Sequence, residues 1–390
     1  MRDRLYIDDT RLRIRNGHPW VYDNQVLRAE GDPRPGGIVQ VFDVKKGPIG
    51  QGYYNPASKI RVRMLTKDLD EPIDGAFFLR KVREAWAYRE QLVDTTSCRV
   101  VFGEADGLPA LVVDKFGDVI ALQTLSLGMD RWKHSIVDAL REVTGVTKFY
   151  ERNDVPIREK EGLEQRTGFL SEPFETRFTI RENGLELAVD VAEGQKTGHF
   201  LDQRLNHAAI APIVKDRNVL DCFTHTGGFA LHAAMYGADR VEGLDISAEA
   251  VRLATANAER NKLHDACTFR SANVFDFLTE ASKSGRQWDV IVLDPPAFVK
   301  SRGALENATR GYKEINLRAM KCLPRGGFLV TCSCSQHMGP DLFRKMVADA
   351  ARDAHRELRE VHWGTQPPDH PIHWSIPETH YLKCLIVQVL

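Results

Sequence analysis

The chain of 390 residues contains no CxxC pair, and its seven cysteines are scattered and odd in number. That pattern excludes a zinc ribbon and a disulfide framework, so no metal is expected. No run of about 18 apolar residues occurs, so no membrane-spanning helix is expected. The opening MRDRLYIDDT is charged and has no apolar h-region. No secretory signal is therefore expected, and the chain reads as cytoplasmic. Net charge is −1, so the whole chain carries no basic signal for nucleic acid. GxGxxG is missing from the strand–helix turn where a dinucleotide fingerprint would stand, and no GxxxxGK[ST] is present. Gly194-Gln195-Lys196-Thr197 ends in KT, but Val189 and Ala192 stand where earlier glycines would be needed. Internal repeats and low-complexity tracts are also absent.

What charge bias exists is local. Residues 1–70 hold 13 Lys and Arg against nine Asp and Glu. The same stretch has period-2 runs, GGIVQVFDV and KIRVRMLT, broken by Pro33, Pro35, Gly36, Gly37, Gly47, Pro48 and Gly50. Such punctuation predicts a small all-β module over 1–70. A central α+β domain is expected over 72–185. Phe77, Phe78, Val82, Ala85, Trp86 and Leu92 give a helical stripe, turns follow at Asp106-Gly107 and Gly117-Asp118, a helix spans Trp132–Val143, and TKFYER reads as a strand.

The third domain, 186–390, changes character. NVLDCF, RVEGLD, CTFRSAN, WDVIVLD and GGFLVTCS alternate with helical stretches. Short apolar strands alternating with helices predict an α/β fold with a parallel sheet covered on both faces. Ligands bind such sheets at the carboxyl ends of the strands.

The candidate cofactor residues lie at those ends. Asp221 closes the first strand and is followed by Thr226, Gly227 and Gly228 in a turn that lets backbone approach a ligand. Asp245 closes the second strand, 24 positions later, where an acidic side chain accepts from ribose hydroxyls. Asn273 follows the third strand, placed either to accept from an adenine amino group or to cap the next helix. Nothing here points to a pyrophosphate. Ribose, adenine and amino-acid contacts suit S-adenosylmethionine.

The fourth strand runs into Asp294-Pro295-Pro296-Ala297-Phe298. The prolines turn the backbone away from helix, Asp294 is expected beside the reactive end of the cofactor, and Phe298 offers a ring for an extruded base. Stacking of that kind contributes about 1–3 kcal/mol. Downstream, Cys332 and Cys334 share a strand face. Cys332 reads as a small buried hydrophobe; Cys334 emerges nearer the catalytic edge.

On these residues the chain resembles the bacterial 23S ribosomal RNA large subunit methyltransferase I family. The segments are HPWVY at 18–22, GYYNPASKIRVR at 52–63, GEADGLP at 103–109, GQKTGHFLDQR at 194–204, DCFTHTGGFA at 221–230, DPPAFVKS at 294–301, RGYKEINLRAM at 310–320 and SCS at 333–335. They run in order along essentially the whole chain. The resemblance implies an N-terminal PUA module, a central α+β domain and a Rossmann-like class I methyltransferase domain. It implies 5-methylcytosine formation in 23S ribosomal RNA, with S-adenosylmethionine as cofactor, ribosomal RNA as partner and a homodimer. By similarity Asp221, Thr226, Gly227, Gly228, Asp245, Asn273 and Asp294 fall on cofactor-pocket motifs. Lys196, Thr197 and Gln203 fall on the lead-in segment and are expected to bind the cofactor as well, Pro295, Pro296 and Phe298 fall on the base site, and Cys334 on the nucleophile position, with Asp294 as its catalytic partner. Family members usually carry Asp where Asn273 stands and Phe where Cys332 stands.

Three functions stay open at this point: covalent C5 methylation of an RNA cytosine, N-methylation of an exocyclic amine, and RNA binding by a chain whose methyltransferase domain is vestigial. Cys334 separates the first two. Asp245 and the intact DPPAF run weigh against the third.

Overall fold

The structure, a computed structural model, describes residues 3–298 and 305–390. These group into two compact units. One comprises Met1–Ile180, Val189–Leu201 and Pro368–Thr379; the other comprises Arg181–Ala188, Asp202–Pro367 and His380–Leu390.

The first unit begins with β1 (Arg4–Ile7), β2 (Trp20–Tyr22), β3 (Val26–Glu30), β4 (Ile38–Asp43), β5 (Gly47–Tyr54) and β6 (Ile60–Thr66), in one sheet of order β2-β6-β5-β4-β1-β3. Period-2 alternation sends Leu5, Ile7, Val39, Val41 and Val62 into one buried cluster. Helix α1 (Gly75–Leu92) starts at Asp74, whose carboxylate accepts from the Phe77 N–H at 3.1 Å. The expected stripe buries Phe77, Phe78, Val82 and Ala85, but Leu92 is exposed and Arg89 is fully buried instead. The Arg89 guanidinium tolerates burial because its donors find acceptors. Both Asp106 oxygens lie at 2.5 and 2.8 Å, and the carbonyls of Arg99 and Asp369 at 2.8 Å.

Beyond α1 come β7 (Ser97–Phe102), β8 (Leu111–Phe116), β9 (Val119–Thr124), α2 (Leu127–Arg131), α3 (Lys133–Thr144), β10 (Lys148–Asn153), α4 (Ile157–Lys160) and β11 (Arg166–Phe169). Their strands order as β11-β10-β9-β8-β7. Gly117-Asp118 is the two-residue turn between β8 and β9. Asp106-Gly107 instead ends a short 3-10 segment in a longer connection. A hairpin of β12 (Arg177–Glu182) and β13 (Leu185–Asp190) follows.

The second unit holds α5 (Arg204–Ala209), α6 (Ala211–Val214), β14 (Asn218–Cys222), α7 (Gly228–Met235), β15 (Arg240–Asp245), α8 (Ala248–Arg260), β16 (Cys267–Ser271), α9 (Val274–Ser284), β17 (Val290–Leu293), α10 (Leu305–Lys321), β18 (Phe328–Ser333), α11 (Pro340–Asp353), β19 (Leu358–Gly364) and β20 (Lys383–Val389). The sheet order is β16-β15-β14-β17-β18-β20-β19. Strands β14 to β18 are parallel, as the strand–helix alternation predicts. The sheet as a whole is mixed: β20 runs antiparallel to both β18 and β19. Residues 365–382 connect β19 to β20, and the chain returns along β19 in the opposite direction.

Leu220, Cys222, Leu244, Leu293, Leu329 and Leu385 share one core with α9, α10 and α11. Alternation therefore turns Asp221 to the opposite face, where the Ala230 N–H of α7 donates to it at 3.0 Å. Strand order reverses between β14 and β17, and the candidate residues lie at this switch point.

Candidate active site

The buried Asp221 carboxylate is used unevenly. Its Oδ2 accepts from Thr224 Oγ1 at 2.6 Å and from Ala230 N at 3.0 Å, whereas its buried Oδ1 has no partner. Burial, opposed by these two bonds and reinforced by the nearby Asp294 charge, raises its pKa to about 7. An orphan carboxylate oxygen of this kind suits a cationic N–H donor, such as the amino-acid end of S-adenosylmethionine.

The loop after Asp221 is strained. Phe223 and His225 have φ of 65° and 51°, and Gly227 has 93°. Non-glycine residues in that region are held there by surrounding structure. Asp245 is one holder: its Oδ2 accepts from His225 N and its Oδ1 from Ser247 N, both at 2.9 Å. Asn257 is another, donating to the Thr226 carbonyl at 3.1 Å. Each Asp245 oxygen keeps a lone pair for a hydroxyl. Gly228 sits against an imidazole, since a Cβ there would lie 2.8 Å from His207 Nε2.

Asn273 caps α9. Its side chain accepts from Phe275 N at 2.9 Å and, weakly, from Asp276 N at 3.5 Å. It also lines a cavity of about 380 Å³ along α9 with Asp276, Phe277 and Glu280. Asp221, Asp245 and Asp294 do not line that cavity. A cavity of about 860 Å³ in the first unit contains none of the predicted site residues.

Asp294 emerges from β17, and its Oδ2 accepts from Gln203 Nε2 at 3.0 Å. Gln203 Oε1 in turn accepts from Asn206 at 2.6 Å, which fixes the amide orientation. Gln203 also hydrogen-bonds Cys332. Pro295 is buried and Pro296 exposed. The Phe298 ring packs on Tyr312, centroids 4.6 Å apart, with Phe275 at 6.1 Å. The DPPAFVKS run extends past the described residues at 299–301.

Strand β18 buries Cys332 completely and ends at Ser333, so Cys334 lies one residue beyond it. Six of the seven cysteines are buried; Cys334 is the seventh, half-exposed. Burial and a hydrogen bond with Cys384 push the Cys332 thiol well above its ordinary range, leaving it inert. Lys196 and Thr197 belong to the first unit. Thr197 Oγ1 donates to Asp114 at 2.5 Å, and Lys196 lies over the Phe200 ring at 4.4 Å.

Sequence reasoning passed over three groups. Glu182 and His207 meet at 2.7 Å beneath Gly228, with His232 stacked on His207. Their donor atoms and those of His232 fall within 4.8 Å of one another, and His232 is held by Gly228 O and Asn183. Tyr312 hydrogen-bonds Ser333 and Ser335 at 3.2 and 3.1 Å. Lys383, the third, is treated below. For Tyr312 the RGYKEINLRAM segment was a signal; the others come from elements with no motif.

A family model for PUA-like domains matches residues 10–67, and one for S-adenosylmethionine-dependent methyltransferases matches residues 160–386. Ribosomal RNA large subunit methyltransferase I of Alteromonas mediterranea is 42% identical over 380 residues, covering 96% of each chain. The protein of that name from Shewanella denitrificans is 42% identical over 378 residues, covering 95% of each. The chain belongs to the ribosomal RNA large subunit methyltransferase I family. It is an S-adenosylmethionine-dependent methyltransferase with a PUA-like N-terminal domain. A Streptococcus mutans protein described as a SAM-dependent methyltransferase shares the fold, with TM-score 0.84, 20% identity and full coverage of both chains. A structure described as a methyltransferase complexed with SAH gives TM-score 0.86 at 20% identity, again over both full chains. Among the described residues, no helix is long and apolar enough to cross a membrane.

Proposed function

We propose that this protein methylates C5 of a cytosine in large-subunit ribosomal RNA, with Cys334 as covalent nucleophile. The observation that carries the reading is the exposure of Cys334 alone among seven cysteines, one residue past β18 and beside β17, the strand that Asp294 directly follows. C5 of cytosine is a weak nucleophile within an aromatic ring. Addition of the Cys334 thiolate to C6 breaks that aromaticity and places electron density on C5. Asp294, oriented by Gln203, faces N3 and the exocyclic amine. Asp221, Thr226, Gly227, Gly228, Asp245 and Asn273 hold S-adenosylmethionine, which supplies the electrophilic methyl group. C5 takes the methyl group, its proton passes to solvent, and the electron pair of that C–H bond re-forms C5=C6 and expels the Cys334 sulfur as a thiolate.

The labour divides along the chain: 1–70 binds RNA, and 186–390, beyond the central α+β domain of 72–185, performs the transfer. Lys196 and Thr197 enter as residues of the lead-in segment. Binding through Lys and Arg of 1–70 weakens with salt and favours structured RNA over DNA, whose missing 2′-hydroxyls distinguish it. The homodimer implied by the family is tested by sedimentation.

RNA carrying 5-fluorocytidine at the target discriminates the chemistry, because fluorine cannot leave as a proton does. A stable protein–RNA adduct is expected with the wild type and with Cys332→Ala, and none with Cys334→Ala. If Cys334→Ala methylates RNA normally, the covalent route is wrong and N-methylation of an exocyclic amine replaces it.

A further inference from the structure

Lys383 opens β20 directly opposite Ser333 of β18. It is fully buried, and among the described residues no carboxylate pairs with it. Its ammonium donates to the carbonyls of Ser335 and Tyr381, each at 2.7 Å. The third N–H has no protein acceptor among the described residues. A buried ammonium without a counter-ion is costly and calls for a reason. One is close by: Cys334 immediately precedes the Ser335 carbonyl that Lys383 holds, and its thiolate form acts favourably on the ammonium. Burial lowers the Lys383 pKa to about 8, which still leaves it cationic near neutrality.

The tripeptide Ser333-Cys334-Ser335 is clamped from two sides. Tyr312 of α10 bonds both serine hydroxyls, and Lys383 of β20 bonds the Ser335 carbonyl. Cys334 is the partly exposed middle residue of this clamped tripeptide. The other titratable groups nearby oppose a thiolate or stay neutral. The Asp294 carboxylate opposes a thiolate at neighbouring Cys332; the Tyr312 phenol is pushed up by burial; the imidazole of His380, just before β20, is held down by burial and by Lys383 itself.

We propose that Lys383 is a positioning residue for Cys334: its ammonium fixes the loop through the Ser335 carbonyl and stabilises the Cys334 thiolate by charge. In the ionisation, the Cys334 S–H bond breaks, the proton passes to water, and Lys383 keeps its own proton. The proposal rests on Cys334 being the nucleophile for its purpose, but the coupling between the two side chains is measurable without it.

The test is alkylation of the full-length protein by iodoacetamide, with the Cys334 peptide followed by mass spectrometry from about pH 6 to about pH 9. The six buried cysteines react slowly and serve as internal references. The wild-type rate at Cys334 is expected to rise with a midpoint below about 8.5, the range of a free thiol. Lys383→Met is expected to raise that midpoint by about one unit and slow alkylation near neutrality about tenfold. Lys383→Arg is expected to stay close to the wild type. An unchanged midpoint in folded Lys383→Met overturns the proposal. If that variant does not fold, the wild type decides: a midpoint at or above about 8.5 overturns it. Alkylation needs neither RNA nor cofactor. A normal 5-fluorocytidine adduct with an unshifted midpoint sinks only the role of Lys383, whereas a shifted midpoint with methylation surviving Cys334→Ala sinks only the C5 reading.

Discussion

The side-chain amide of Gln203 donates to the carboxylate of Asp294 at 3.0 Å, across 91 positions of sequence. Gln203 is itself locked by Asn206, which accounts for its amide oxygen and leaves its N–H groups to face Asp294 and Cys332. Gln203→Leu leaves Asp294 without this donor. Hydrogen bonds to charged groups contribute about 1.5–3 kcal/mol, which converts to roughly 10–100-fold. Single-turnover methylation is expected to slow by that factor while affinity for S-adenosylmethionine changes little. Equal losses in both would assign Gln203 to the cofactor pocket instead.

With Asp221 in its proposed place in the cofactor pocket, cofactor binding is expected to depend on pH. Its pKa is raised to about 7 by burial. The native state therefore holds its proton more tightly than the unfolded chain does, and stability falls as pH rises from the ordinary carboxyl range through about 7. The ammonium of S-adenosylmethionine prefers the ionised carboxylate, so affinity rises across the same interval. Calorimetry on either side of pH 7 is expected to show this rise in the wild type and its loss in Asp221→Asn. Thermal melts above pH 7 are expected to favour Asp221→Asn, because the buried charge is gone.

Asp245 serves the loop and the proposed ribose contact together. Asp245→Ala removes acceptors from His225 N and Ser247 N as well as from the cofactor hydroxyls. A loss of about 1–3 kcal/mol per unpaired group predicts at least a roughly tenfold fall in affinity for S-adenosylmethionine. A folded Asp245→Ala protein with unchanged affinity would remove Asp245 from the pocket.

Gly228→Ala tests a close approach. The new Cβ meets His207 Nε2 at 2.8 Å, so the imidazole must shift and disturb its 2.7 Å contact with Glu182. Overpacking of this kind costs about 1–3 kcal/mol. Reduced thermal stability and weaker cofactor binding are expected. The double variant Gly228→Ala/His207→Ala should recover part of the binding, since the clash is removed. Simple additivity of the two losses would show that the clash is not the cause.

Much of the candidate site was legible because its markers are local. A strand-end Asp followed by a Gly-Gly turn, or an Asp followed by two prolines, has structural meaning within a few residues, and those segments lie at the carboxyl ends of β14 and β17. Asn273 was legible only as a pair of alternatives; its side chain caps α9. Leu92 and Arg89 show the limit of periodicity. A stripe names the apolar positions of a helix but cannot tell that an arginine will find Asp106 and two carbonyls and be buried in their place.

By itself, the sequence determined the alternation of strands and helices, the parallel run from β14 to β18, the small β module before it, and the places where Asp221, Asp245, Asp294 and Cys334 emerge. These follow from backbone periodicity and from turn residues that act on their immediate neighbours. Tertiary structure alone decided which distant side chains meet them. Gln203 reaches Asp294 because the segment entering α5 returns to the edge of the sheet, and His207 reaches Gly228 because α5 packs on α7. Lys383 reaches the Ser335 carbonyl, 48 residues away, because β20 inserts antiparallel beside β18. That insertion is a choice of strand partner, made by burying Leu385 and Val387 in the common core, and no local pattern in the chain encodes it.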